Sequence, residues 1–323
     1  MFSQLCHQSS LTQLAILMPL VNTANAEENY LTDGLSKIDP EKFVRGISTI
    51  KHIKLRETGL TVDQINLLMA EIINSKVIKS LDLIDKNLFQ ANVETMIAAF
   101  NSLESLSLHY GTLIGNTNMN LFLTAMGDGE SKLKELSLRN ISLSHVDPII
   151  VGRAVKNLTS LEIMISDLVP AQLESMFETF AIRKFGLKQL CLSHNDLSML
   201  SPKLFIEVCK NVENLEIFAS KVTKAQMEGL FEAASCQSNL KELNVNYNDL
   251  SQVDSKIMAK GLNKLFKAFL YKTELSEEQV ETILDYGMKE SNLYHLDMRY
   301  NVRSSSSCHL TKYLKSHVYK IEI

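Results

Sequence analysis

The sequence predicts an α/β solenoid, a linear array in which short parallel strands alternate with helices. Three observations predict it. Apolar residues recur at Ile50, Ile78, Leu103, Leu133, Leu158, Leu187, Val212, Leu240, Leu265, Leu293 and Val318, at intervals of 28, 25, 30, 25, 29, 25, 28, 25, 28 and 25 residues. Each recurrence opens a segment with apolar residues at its first, fourth and sixth positions, clearest in LKQLCLSHNDL from Leu187 and LKELNVNYNDL from Leu240. Helix-start signals follow several of these segments.

A period of 20–30 residues carrying L-x-x-L-x-L-x-x-N-x-L is the pattern of a leucine-rich-repeat horseshoe, with parallel strands on the concave face and helices on the convex face. Because each repeat touches only its neighbours, 323 residues need no single large core. The organisation expected is an N-terminal cap over 1–49, with a leader at 1–26 as one reading, then ten repeats and a terminal strand over 50–323.

Within a repeat, positions four and six alternate with polar ones, which predicts a short strand with one buried face. The helix returns afterwards. Ile65, Leu68, Met69 and Ile72 fall at helical spacing. Capping boxes are expected at Thr61 with Gln64, Thr223 with Gln226 and Ser276 with Gln279, with Asp versions at Ser144–Asp147 and Ser251–Asp254. Pro148 and Pro170 suit first helical turns.

The ninth position alternates. The 25-residue repeats carry Asn195, Asn248 and Asn301, and the longer ones Thr58, Gly111, Ser166, Ser220 and Thr273. An Asn amide both donates and accepts, so it can satisfy buried peptide groups between coils. Lys86 and Ile141 break the pattern and predict looser turns. The structural unit is then a pair of repeats.

This alternation, with phrases such as LSHVDPIIVGRAVKNL (143–158) and LSQVDSKIMAKGLNKL (250–265), resembles the ribonuclease-inhibitor-like class of leucine-rich repeats. The resemblance spans roughly residues 50–323 and implies a horseshoe that binds protein. No G-x-x-x-x-G-K-[ST] nucleotide loop accompanies it.

Composition narrows the partners. A net charge of −4 gives no electrostatic footprint for nucleic acid. No segment is long enough to insert in a membrane. The five cysteines, Cys6, Cys191, Cys209, Cys236 and Cys308, are scattered, which favours a reducing, cytoplasmic setting. Against it stand an apolar stretch over Leu14 to Val21 and the Ala24-Asn25-Ala26 triplet, which read as a signal peptide of a secreted chain or as a degenerate first repeat.

Outward strand positions three, five, seven and eight should line the concave face. The N-terminal repeats place His52, Lys54, Arg56, Glu57, Ser80, Asp82 and Asp85 there. The C-terminal repeats place Phe218, Tyr247, Phe269, Tyr271 and Tyr300 there, with Lys267, Lys272, Asp297 and Arg299 around them. Tyr, Phe and Arg anchor protein interfaces, so Phe218, Tyr247, Lys267, Phe269, Tyr271, Lys272, Arg299 and Tyr300 are the candidate partner-binding residues. The bland alternative is that the rings merely stack along the sheet.

Catalysis fits poorly. Cys191 and His194 stand roughly 10 Å apart along a strand, and His109, His194 and His295 lie strands apart, so neither a nucleophile–base pair nor a metal site is expected. The function predicted is non-enzymatic recognition of a protein partner, without cofactor. The alternatives are a secreted or effector-type protein that binds a foreign partner, and a structural repeat protein that self-associates through the terminal strand, Val318 to Ile323.

Overall fold

The computed structural model describes residues 13–17, 35–56, 59–84, 88–109, 116–129, 131–183, 186–287, 292–301 and 320–322. Cys6, the Ala24–Ala26 site, Glu57, Thr58, Asp85, Lys86, Gly111, Cys308, Val318, Tyr319 and Ile323 lie outside them. The chain divides into two compact units, Met1–Leu158 and Thr159–Ile323.

The first unit runs β1 (Gln13–Leu17), α1 (Pro40–Ile47), β2 (His52–Arg56), α2 (Val62–Asn74), β3 (Ser80–Ile84), α3 (Val93–Ser102), β4 (Ser105–His109), α4 (Asn116–Gly127), β5 (Glu135–Arg139) and α5 (Pro148–Ala154). Its strands pair in parallel and in chain order. The fourth-position residues Ile53, Leu81, Leu106 and Leu136 form one buried row. β1 falls within the segment expected to cap the array, and it pairs with β2 as a repeat strand does.

The second unit runs β6 (Ser160–Met164), α6 (Pro170–Arg183), β7 (Gln189–Cys191), α7 (Pro202–Cys209), β8 (Asn214–Glu216), α8 (Lys224–Cys236), β9 (Glu242–Asn244), α9 (Ser255–Leu262), β10 (Lys267–Phe269), α10 (Glu277–Gly287), β11 (His295–Asp297) and β12 (Lys320–Glu322). Leu161, Leu190, Leu215, Leu243, Ala268 and Leu296 continue strand by strand as its buried row. Both units are therefore α/β leucine-rich-repeat arrays.

Helices close each core from the other side. Ile65, Leu68, Met69 and Ile72 of α2 are all buried, as their spacing predicts. Phe100 of α3 meets Phe122 of α4 edge-on at 5.5 Å, and Phe177 of α6 stacks on Phe205 of α7 at 6.3 Å. Burying each such ring stabilises by roughly 1.5–3 kcal/mol.

The two repeat lengths differ in their helices. The long repeats hold helices of 13, 12, 14, 13 and 11 residues. The short ones hold 10, 7, 8 and 8. The same difference corrects two caps. Ser144 and Ser251 do not cap helices. The short-repeat helices begin three residues later, and Asp147 and Asp254 are themselves the N-caps, accepting from Ile149 N and from Lys256 N and Ile257 N.

In the long repeats the full boxes form at Thr61–Gln64, Thr223–Gln226 and Ser276–Gln279. Each Gln also reaches back to the preceding coil. Gln226 Nε2 donates to the carbonyls of Leu197 and Leu200, and Gln279 Nε2 to those of Leu250 and Val253. One side chain thus starts a helix and satisfies buried carbonyls of the neighbouring coil.

The turn at Ile141 is not looser in backbone. The left-handed residue is Asn140 beside it (φ 55°), as at the eighth position of later repeats, and Ile141 is buried.

Candidate functional site

After each of the strands β6 to β11 the chain turns through a left-handed residue at the eighth position: Ile165, His194, Ala219, Tyr247, Lys272 and Tyr300, with φ between 50° and 61°. Parallel pairing continues past the strands there. His194 N donates to Phe218 O, Tyr247 N to Tyr271 O, and Lys272 N to Arg299 O. The seventh-position residues of the long repeats are tied down as well. Ser193 Oγ accepts from Phe218 N at 3.2 Å, and Asn246 Oδ1 accepts from Tyr271 N at 2.7 Å.

These restraints line up one row of rings. His194, Phe218, Tyr247, Tyr271 and Tyr300 follow each other with centroid separations of 4.5, 4.9, 5.3 and 4.9 Å, mostly edge to face. The row takes position eight in short repeats and position seven in long ones. The alternation of repeat length is thus carried onto the surface. Sequence reading placed four of these rings on the face and allowed that they stack along the sheet, as they do, but missed the alternation of positions and the start at His194. The signal was present: an aromatic or His at alternating positions eight and seven in five consecutive repeats.

Lys272 Nζ stands 5.2, 5.6 and 5.6 Å from the ring centroids of Tyr247, Tyr271 and Tyr300, within cation–π range. The Tyr271 phenol is held above its ordinary range, first by its hydrogen bond to Tyr247 and then by loss of hydration. Tyr247 and Tyr300 remain 46% and 69% exposed. A bulky side chain at positive φ is a backbone outlier that needs a reason.

The other candidates separate from this row. Arg299 forks onto Asp297, with Nε at 2.9 Å and Nη2 at 2.7 Å, and also meets Glu322 at 2.8 Å. Asp297 is only 4% exposed. Its burial pushes its pKa up, the Arg299 hydrogen bonds and charge pull it down, and the net is a lowered value. Arg299 is therefore a braced ion pair whose guanidinium lies 5.7 Å from the Tyr271 ring. Lys267 bonds Glu242 at 2.9 Å, and Phe269 meets His295 at 5.0 Å, in a separate pair nearer the strand starts. A pair that sequence reading missed, Phe266 stacked on Tyr294 at 5.2 Å, occupies the second positions of consecutive repeats with both rings exposed.

In the first unit the described outward residues of β2 to β5 are polar except Ile84. Lys54 lies 3.5 Å from Asp82, and His109 lies 3.4 Å from Asp82 and 2.9 Å from Ser107. Burial pushes the Cys191 thiol up to about 11, opposite to the activation a nucleophile requires. Among the described residues no group of His, Cys, Asp and Glu could hold a metal ion, and no helix is long and apolar enough to cross a membrane.

The class defined by this fold and surface is a leucine-rich-repeat array with an aromatic row on the open face of its second unit. No protein-family model matches the chain, and no curated protein matches it. Among solved structures, it is similar to the leucine-rich repeat-containing protein LegL7 from Legionella pneumophila, at 17% identity and a TM-score of 0.48, over 88% of this chain and 87% of that one. It is also similar to a leucine-rich repeat protein from Bacteroides thetaiotaomicron, at 12% identity and a TM-score of 0.36, over 80% of this chain and 28% of that one. The fold assignment rests on the repeat itself.

Proposed function

We propose that this chain is a non-enzymatic recognition scaffold of the ribonuclease-inhibitor-like kind, binding a protein partner on the open face of its sheet. The observation that supports this most is the row from Phe218 to Tyr300. Tyr247 and Tyr300 keep large exposed rings at left-handed backbone positions, where Asn or Gly would cost less. Rings already aligned by their neighbours lose little freedom on binding. The scattered cysteines, with no C-x-x-C pair, support a reducing, cytoplasmic setting.

The test is affinity co-purification from native extract, with wild type beside Tyr247, Tyr271 and Tyr300 all changed to Ser, once both are shown to fold. A partner kept by wild type and lost by the variant is the expected result. A partner kept equally by both would overturn the assignment. A Phe269→Ser variant, on the separate pair, should keep it.

A further inference from the structure

Lys272 is the unneutralised cation of the aromatic row. The other charged amines and guanidinium described on this face have carboxylate partners: Lys221 with Asp196 at 2.8 Å, Lys267 with Glu242 at 2.9 Å, and Arg299 with Asp297 and Glu322. Lys272 has no carboxylate within 4 Å and donates no side-chain hydrogen bond among the described residues, and it is surrounded instead by three tyrosine rings.

We propose that Lys272 is the anchor for a partner's carboxylate: an Asp or Glu side chain, next to an apolar or aromatic residue, in a protein segment lying along the row. This rests on the partner-binding reading of the same face. The rings fix the ammonium without neutralising it, so its three donors are held ready. Its backbone is pinned too, by the Lys272 N to Arg299 O hydrogen bond and the left-handed turn. A partner that covers the rings excludes water, which strengthens the ion pair it forms there. Phe218 and Tyr247 beside it offer apolar area for the neighbouring residue.

The opposite chemistry, a partner ammonium entering the tyrosine cage, is disfavoured by the same geometry. The cage is filled, and a second cation would have to displace Lys272 while meeting its charge. Charge also sets the register. Asp249 on the preceding turn and Glu274 two residues beyond Lys272 in its own turn are both exposed, so further acidic residues of the segment are repelled there.

The experiment pans a phage-displayed library of random linear peptides, fused so that they have no free C-terminus, against the full chain. Recovered sequences are then synthesised as C-terminal amides and their affinity is measured by fluorescence anisotropy. The expected peptides carry Asp or Glu beside an aromatic or apolar residue. Lys272→Met should weaken them at least about tenfold, Lys272→Arg should retain most binding, and wild type but not Lys272→Met should distinguish Glu peptides from their Gln versions. Peptides that need the three tyrosines but ignore Lys272→Met, or basic peptides that gain from it, would overturn the carboxylate anchor and leave the face reading intact. Recovery of no peptide that depends on the tyrosines would overturn both.

Discussion

Asn248 Oδ1 accepts the backbone N–H of Ser220 at 3.0 Å, across 28 residues of chain. The same oxygen takes Val222 N at 3.3 Å, while Nδ2 donates to the carbonyls of Ile217, Val245 and Asn246. Asn301 does the same for Thr273 and Leu275. Asn248 and Asn301 of the short repeats thus complete the turn of the long repeat before them, which ties each such pair together. Asn195 is incomplete. Its Nδ2 donates to Ile163, Leu192 and Ser193, but its buried Oδ1 has no partner among the described residues. Asn248→Ala should therefore destabilise by about 3 kcal/mol or more, because several buried groups lose their partners. Asn195→Ala should cost clearly less. Urea unfolding of the two variants compares them, and equal losses would contradict this account.

Close helix packing supplies a second contrast. A Cβ on Gly261 would lie 2.6 Å from the Phe231 carbonyl oxygen and 2.7 Å from its Cα, which are backbone atoms that cannot step aside. A Cβ on Gly229 would meet only Ile206 Cδ1 and Cγ1, which can turn away. Gly261→Ala should cost roughly 1–3 kcal/mol by overpacking, whatever Ala adds in helix propensity. Gly229→Ala should be much milder. Melting temperatures of the two variants decide it.

Asp196 is held down at about 2, against an ordinary 3.8, first by its hydrogen bond from Lys221 and then by that from Ser198. A depressed folded value means that the charged form belongs to the native state. The stabilisation is whole above pH 3.8, erodes as pH falls and is gone below about 2. Lys221→Met should raise the carboxyl's midpoint while leaving it below the ordinary value, since Ser198 remains. Carbon-detected NMR titration of Asp196 reads this directly, and an unchanged midpoint would refute it.

Thiol reactivity should rank by burial. Cys236 is exposed, Cys191 is half-buried with its pKa raised to about 11 by burial, and Cys209 is fully buried with its thiol pushed higher still. Iodoacetamide at neutral pH should label Cys236 first, Cys191 slowly and Cys209 only on unfolding. Mass spectrometry of timed digests would show the order, and early labelling of Cys209 would count against the packing of α7.

The repeat could be read directly because it is written as spacing. Apolar residues at positions four and six share one buried face of the strand, the first-position residue is buried just before the strand begins, and Asn at position nine has the donors and acceptors that a turn between coils requires. The outward rings were also legible, since they fall at variable positions of the repeat template; those at positions seven and eight lie past the strands, where the template and not strand alternation places them. The misread caps at Ser144 and Ser251 show the limit. Ser-x-x-Asp satisfies the capping pattern at either residue, and which one starts the helix depends on how much helix the coil has room for.

By itself, the sequence determined the array, its paired unit and the face on which an aromatic surface would lie, because these follow from local periodicity. Only the tertiary structure decided which of the eight candidate residues act together. Phe218, Tyr247, Tyr271, Tyr300 and Lys272 meet, while Arg299 is taken by Asp297 and Glu322, Lys267 by Glu242, and Phe269 by His295. Apart from Arg299 with Asp297 and Lys272 with its chain neighbour Tyr271, those pairings join residues 23–29 positions apart, and which neighbour a long side chain reaches is set by the register of adjacent coils and by competition among charges that no local pattern encodes.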